Sequence, residues 1–98
     1  MEVVFAGSDL DRLEVDPRFT AGFGQPAVKG YRKVMQAIRA AVDERDLYAL
    51  KGLRLEKLKG ARGHQHSLHI NDQWRLIVEF VGEGPTKKVR VVEIVDYH

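Results

Sequence analysis

HSLHINDQWRLIVEFV, residues 66–81, is the stretch that decides the fold. Within it Trp74, Leu76, Val78 and Phe80 point one way and Arg75, Ile77, Glu79 and Val81 the other, the period-two pattern of a strand. Residues 66–70 read as the strand before it, and Asn71-Asp72 as the tight turn between the two. Gly82-Glu83-Gly84-Pro85 is a second turn cluster, and the valine-rich residues 86–95 complete a three-strand meander.

Upstream the pattern changes. MEVVFA, residues 1–6, is a short β-branched run that reads as a first strand, broken by Gly7. Ser8 with Asp11 three positions later predicts a capped short helix over 9–14, stopped by Pro17. Pro17, Gly22, Gly24 and Pro26 mark an ordered loop over 16–26. From there Val28, Tyr31, Met35, Ile38 and Val42 recur at steps of three and four, widened by Val34 and Ala41. That spacing predicts an amphipathic helix over 27–44, with Lys29, Arg32, Lys33, Arg39 and Arg45 mostly off its apolar face and Gly30 as its weak point. A short connection over 45–52 leads to the basic stretch LRLEKLKGARG, residues 53–63. The order β-α-α-β-β-β predicts an α+β fold in which an antiparallel sheet packs against N-terminal helices.

Ninety-eight residues and 11.1 kDa suit one domain over residues 1–98 with a single core. The 44% hydrophobic and 31% charged residues are an ordinary globular balance. With no cysteine there is no disulfide, thiolate metal site or cysteine nucleophile. There is no apolar run near twenty residues, and Glu2 and Asp9 interrupt any signal-peptide pattern after Met1, so the expectation is a cytoplasmic protein without a membrane partner. The net charge of +2 conceals an asymmetry: residues 1–46 carry 7 basic and 8 acidic groups, residues 47–98 carry 9 and 6.

Four features of the second half could carry chemistry. Lys51, Arg54, Lys57, Lys59 and Arg62, set against Glu56, form a basic cluster able to follow a polyanion, although a solvated strand edge explains it equally. Asp96-Tyr97-His98 places three side chains that hold or move protons directly after an apolar strand, where a frayed end is the plainer reading. His64, His66 and His69 cluster in sequence, but strand alternation sends His66 and His69 to opposite faces, which argues against a metal site. Arg75 lies mid-strand and either pairs with Glu79 or Glu93 across the sheet or projects from an open face.

Three motifs in order carry a resemblance: LEKLKG (55–60) followed by Arg62, SLHINDQWRLIVEF (67–80) and the ending VVEIVDYH (91–98). Together they strongly resemble the HigB-type branch of the RelE/ParE toxin superfamily, the plasmid-maintenance or host-killer toxins. The match is dense over 55–98 and rests on element order over 1–50. The resemblance implies a toxin of a type II toxin–antitoxin system that enters the ribosomal A site of the 30S subunit, cleaves mRNA there and is held inactive by a HigA-like antitoxin. No cofactor and no metal are expected. Residue by residue, Lys59 matches the lysine of the LKG motif, Arg75 the arginine of the NxWR strand, and Asp96, Tyr97 and His98 the terminal trio; these five are the expected catalytic set. Arg54, Lys57, Arg62, His64 and His66 are the expected contacts to rRNA or mRNA. Some relatives carry histidine at the position of Glu56, so Glu56, His64 and His66 stand as alternative general bases. The competing classes are a non-enzymatic gyrase inhibitor of ParE type and a degenerate toxin of weak activity. The free toxin is expected to be monomeric.

Overall fold

The structure, a computed structural model, describes residues 1–7 and 9–97, with Pro85 for its backbone only; the cap expected at Ser8 and the role expected of His98 lie outside the described residues. Its elements run β1 (Glu2–Phe5), α1 (Asp9–Val15), α2 (Gln25–Ala40), α3 (Glu44–Ala49), β2 (Glu56–Lys57), β3 (His66–His69), β4 (Trp74–Val81) and β5 (Lys88–Asp96). They make an α+β fold with a five-stranded sheet in the order β1-β5-β4-β3-β2. The expected meander β3-β4-β5 is antiparallel, and β2 extends it with the same sense. The sheet as a whole is mixed, because β1 runs parallel to β5, pairing Val3 with Val89 and Phe5 with Val91.

Helix α2 buries the predicted stripe: Val28, Tyr31, Val34, Met35 and Ile38. They pack against Leu68 of β3, Leu76 and Val78 of β4, and Val89 and Val91 of β5. Each fully buried aliphatic side chain of this kind contributes about 1.5–3 kcal/mol. The stripe does not reach Val42, which is 84% exposed. The helix stops at Ala40, Ala41 turns extended (φ −69°, ψ 142°), and Asp43 caps the next helix by accepting from the Arg45 N–H. The connection expected over 45–52 therefore contains α3, whose start is tied back by Val42 N–H donating to Asp46 at 2.8 Å. Its one buried residue is Leu47.

Helix α1 is too short to hold itself by propensity. Arg32 of α2 donates to the carbonyls of Leu13 (3.0 Å) and Asp16 (2.8 Å), serving the open C-terminal end of α1. Arg39 forks onto Glu14 at 2.6 and 2.7 Å. Buried Tyr31 donates its hydroxyl to the Leu10 carbonyl at 2.7 Å. Tyr31→Phe removes that bond and is expected to lower stability by about 1 kcal/mol in denaturant titration. A wild-type midpoint would show that the bond contributes nothing net.

Alternation along β4 is only half the account of its burial. Leu76 and Val78 face the helices as expected, but Arg75 and Ile77 on the second face are also enclosed, 5% and 2% exposed. A bulge interrupts the β4–β5 register between Ile77 and Val78, where Glu93 and Val91 are the facing residues. The β4–β5 turn contains Gly82 at φ +86°, a backbone region that disfavours a side chain.

Candidate functional site

The second face of the sheet carries a groove of about 260 Å³. Ser67, Arg75, Ile77 and Val95 form its floor from β3, β4 and β5, while Leu58, Lys59, Arg62 and Tyr97 wall it. Its charged lining residues are Lys59, Arg62 and Arg75, all cations. Four residues that the sequence singles out for function, Lys59, Arg62, Arg75 and Tyr97, thus meet in one place.

Arg75 pairs with neither Glu79 nor Glu93, the two partners considered from its strand position. Its guanidinium lies over the Tyr97 ring at 4.1 Å from the centroid, a cation–π stack closed by the chain's last described residue. Nε and Nη1 of Arg75 are buried and have no hydrogen-bond partner among the described residues. A buried cation with unused donors costs several kcal/mol unless an anion meets it. A guanidinium with free donors of this kind can pair with an oxyanion, a carboxylate or a phosphate, through two N–H bonds.

In the sequence His69 stands out only as a possible metal ligand. It is the cross-strand partner of Arg75 and shares its face. Burial, and then the positive charge of Arg75 and Arg54, holds its imidazole below the usual histidine range, with Asp72 opposing. Neutral near pH 7, it offers a lone pair beside the cationic groove. Its Nδ1 is buried with no partner among the described residues. Arg54, which neighbours His69, ends a 3-10 turn in the left-handed region at φ 45°.

The other expected residues are placed elsewhere. His66 and Lys57 are cross-strand partners, and His66 pairs with Val78, so it lies on the helix side; its ring sits edge-on to Phe80 at 4.9 Å. Burial and then Lys57 lower its pKa. His64 is exposed, with Nε2 3.4 Å from Glu79. Glu56 pairs with Ser67 at the sheet edge but does not line the groove. Asp96 pairs with Trp74 and so faces the helix side, where Gln73 Nε2 donates to it at 3.3 Å. Among the described residues no three His, Asp or Glu side chains converge to hold a metal ion, and no helix is long and apolar enough to cross a membrane.

Solved structures share this architecture across nearly the whole chain. A YoeB/ParE toxin from Agrobacterium tumefaciens superposes with a TM-score of 0.62 at 19% identity, covering 100% of both chains. YafQ from E. coli gives 0.61 at 12% identity over 98% of this chain and 92% of its own. A YoeB dimer from Staphylococcus aureus gives 0.57 at 17% identity, covering 100% and 97%. At such identities these likenesses establish the fold. No curated protein matches the sequence. The family described as "RelE-like toxin of type II toxin-antitoxin system HigB" matches residues 7–98, and on that match the chain belongs to the HigB-like toxins.

Proposed function

We propose that this toxin is a ribosome-dependent endoribonuclease that cuts mRNA in the A site and is neutralised by a HigA-like antitoxin in the cytoplasm. Membership of a type II toxin family implies an antitoxin partner. The observation that carries the enzymatic reading is Arg75, a buried guanidinium with unused donors in a groove whose charged lining is wholly cationic. A ParE-like gyrase inhibitor would have no need of that arrangement beside a neutral histidine.

Cleavage by the adjacent 2′-hydroxyl forms a bond from that oxygen to phosphorus and breaks the bond to the 5′-oxygen. It requires a base for the 2′-OH, positive charge on the phosphorane oxygens and a proton for the leaving 5′-oxygen. Arg75 and Lys59 supply the charge. Arg62 and Arg54 hold flanking phosphates, whereas Lys57 and His66, on the helix side of the sheet edge, and exposed His64 would meet RNA only beyond the groove. Tyr97, stacked on Arg75, is exposed enough to receive a base or ribose. His98 donates the proton to the leaving group and Asp96 assists at the terminus, both on the strength of the sequence motif. For the base, His69 joins Glu56, His64 and His66 as a candidate; its position beside Arg75 favours it, while His66 lies on the opposite, helix side.

Mapping mRNA 5′ ends after induction tests the reading: cuts inside codons are expected. Whole messages alongside DNA damage would overturn it in favour of gyrase inhibition. A pH profile tests the base. Because the pKa of His69 is lowered, the acid limb of the cleavage profile, where the ring protonates, should lie under the usual histidine value, while loss of the leaving-group proton donor sets a separate alkaline limb. His69→Gln should remove the acid limb. An unchanged profile would return the role to the other candidates. Stability follows the same sign: the unfolded chain binds the proton more readily, so the contribution of His69 is complete above its unfolded pKa and declines as pH falls through the folded one.

A further inference from the structure

Arg62 projects from a three-residue 3-10 turn, a place where a long side chain ordinarily samples many rotamers. Here it is held. Its Nε donates to Gln65 Oε1 at 2.8 Å and its Nη2 to Glu93 Oε1 at 3.3 Å. Gln65 is unusual in its own right, a glutamine only 8% exposed. Its main chain closes the same turn: Gln65 N–H donates to the Arg62 carbonyl, and its carbonyl accepts from Leu58 N–H, both at 2.9 Å. The side-chain Nε2 donates to Glu79 Oε2 at 3.0 Å. A carboxylate can only accept, so Glu79 settles which end of the amide is nitrogen and turns the oxygen toward Arg62. Glu79 is itself flanked by His64 Nε2 at 3.4 Å and Arg90 Nη1 at 3.9 Å.

From this chain we infer that Gln65 and Glu79 are positioning residues, whose work is to aim the Arg62 guanidinium into the cationic groove at an RNA phosphate next to the one cleaved. This rests on the ribonuclease reading. The amide is the hinge of the arrangement: leucine at position 65 would fill its volume but could neither accept from Arg62 nor donate to Glu79. The hold occupies Nε and Nη2 of Arg62, and Arg62 lines the groove, so the remaining guanidinium N–H groups are left for the substrate. Glu79, two residues along β4 from Ile77 in the groove floor, ties this aim to the strand that carries Arg75.

The test is a double-mutant cycle on mRNA cleavage with programmed ribosomes, using Gln65→Leu, Arg62→Ala and the pair, with thermal melting of each. Gln65→Leu should raise KM about tenfold, the value of one charge-assisted hydrogen bond, with kcat nearly unchanged. It should add nothing in the Arg62→Ala background. Glu79→Gln, which no longer dictates the amide's orientation, should fall between wild type and Gln65→Leu. The Arg62 Nε–H resonance, slow to exchange in the wild type, should broaden or vanish in Gln65→Leu. Equal losses in both backgrounds, or an Arg62 resonance indifferent to Gln65→Leu, would overturn the proposal. If wild-type protein leaves messages whole, the ribonuclease reading is what fails, and the Arg62 resonance still decides whether Gln65 positions it.

Discussion

Arg75→Ala is expected to abolish growth arrest and lower mRNA cleavage by about 100-fold or more, the usual effect of losing a preorganised donor to a developing oxyanion. The change leaves the opposite face, the helices and β1 untouched, so binding of the antitoxin provides an internal control for folding. Stability should move the other way from activity. The buried guanidinium has unused donors, and the cation is compensated only by the face of Tyr97 among the described residues. Replacing it with an apolar side chain of similar reach relieves that cost, as with other buried charges exchanged for hydrophobes. Arg75→Met is therefore expected to be inactive yet at least as stable as the wild type by thermal unfolding. An active Arg75→Met protein would remove Arg75 from the chemistry. An inactive but much less stable one would show the stack on Tyr97 to be a structural clasp.

Gly30→Ala should be the most damaging single-methyl change in the helical layer. Helix propensity taken alone favours alanine by about 1 kcal/mol. The position faces the end of β3, however, where a Cβ would stand 2.8 Å from both Ile70 Cγ2 and the Ile70 carbonyl oxygen. The methyl group of Ile70 can rotate aside, but its carbonyl cannot, because Asn71 N–H, in the same peptide plane, is bonded to Trp74 O at 3.3 Å across the hairpin. Helix and sheet must separate, at a cost of about 1–3 kcal/mol that exceeds the propensity gain. A net loss near 1 kcal/mol would lower the melting temperature by roughly 4–8 °C in a chain of this length. Because His69 and the turn that sets Arg75 adjoin Ile70, cleavage should drop along with stability. A rise in melting temperature would mean that the layer yields more easily than the contact distances imply.

The amphipathic period announced α2 well, and the alternating run announced β4, because both bury one face over many residues. Helix α3 and strand β2 escaped notice for the converse reason. Six residues with a single buried leucine, and two residues with none, produce no period to read. A trace of α3 was present in Asp43 and Asp46, which cap its start, but capping residues without an apolar stripe also describe turns. The parallel placement of β1 beside β5 has no local signature, since pairing of the chain's two extremes is decided by the packed sheet. At the site, Arg75 stood out as a charge inside an apolar strand. Its neighbour His69 could have been found by counting outward from the turn at 71–73, which sets 69 opposite 75 and 67 opposite 77. The stack of Tyr97 on Arg75 and the amide hold on Arg62 depend on how loops fold over the sheet, which no spacing encodes.

The position of β5 has a bearing on when the toxin becomes dangerous. The last strand in the sequence is an interior strand of the sheet, lying between β4 and β1. Until residues 88–96 are available, β1 has no neighbour, the outer side of β4 is open, and the floor of the groove lacks Val95 while its lid lacks Tyr97. A chain still under synthesis thus lacks both the stack that covers Arg75 and the pairing that joins first strand to last. Contacts of such long sequence separation also form late once the chain is free. Topology thus keeps a chain under synthesis without its complete groove, and an antitoxin already present has the interval of folding in which to meet its target.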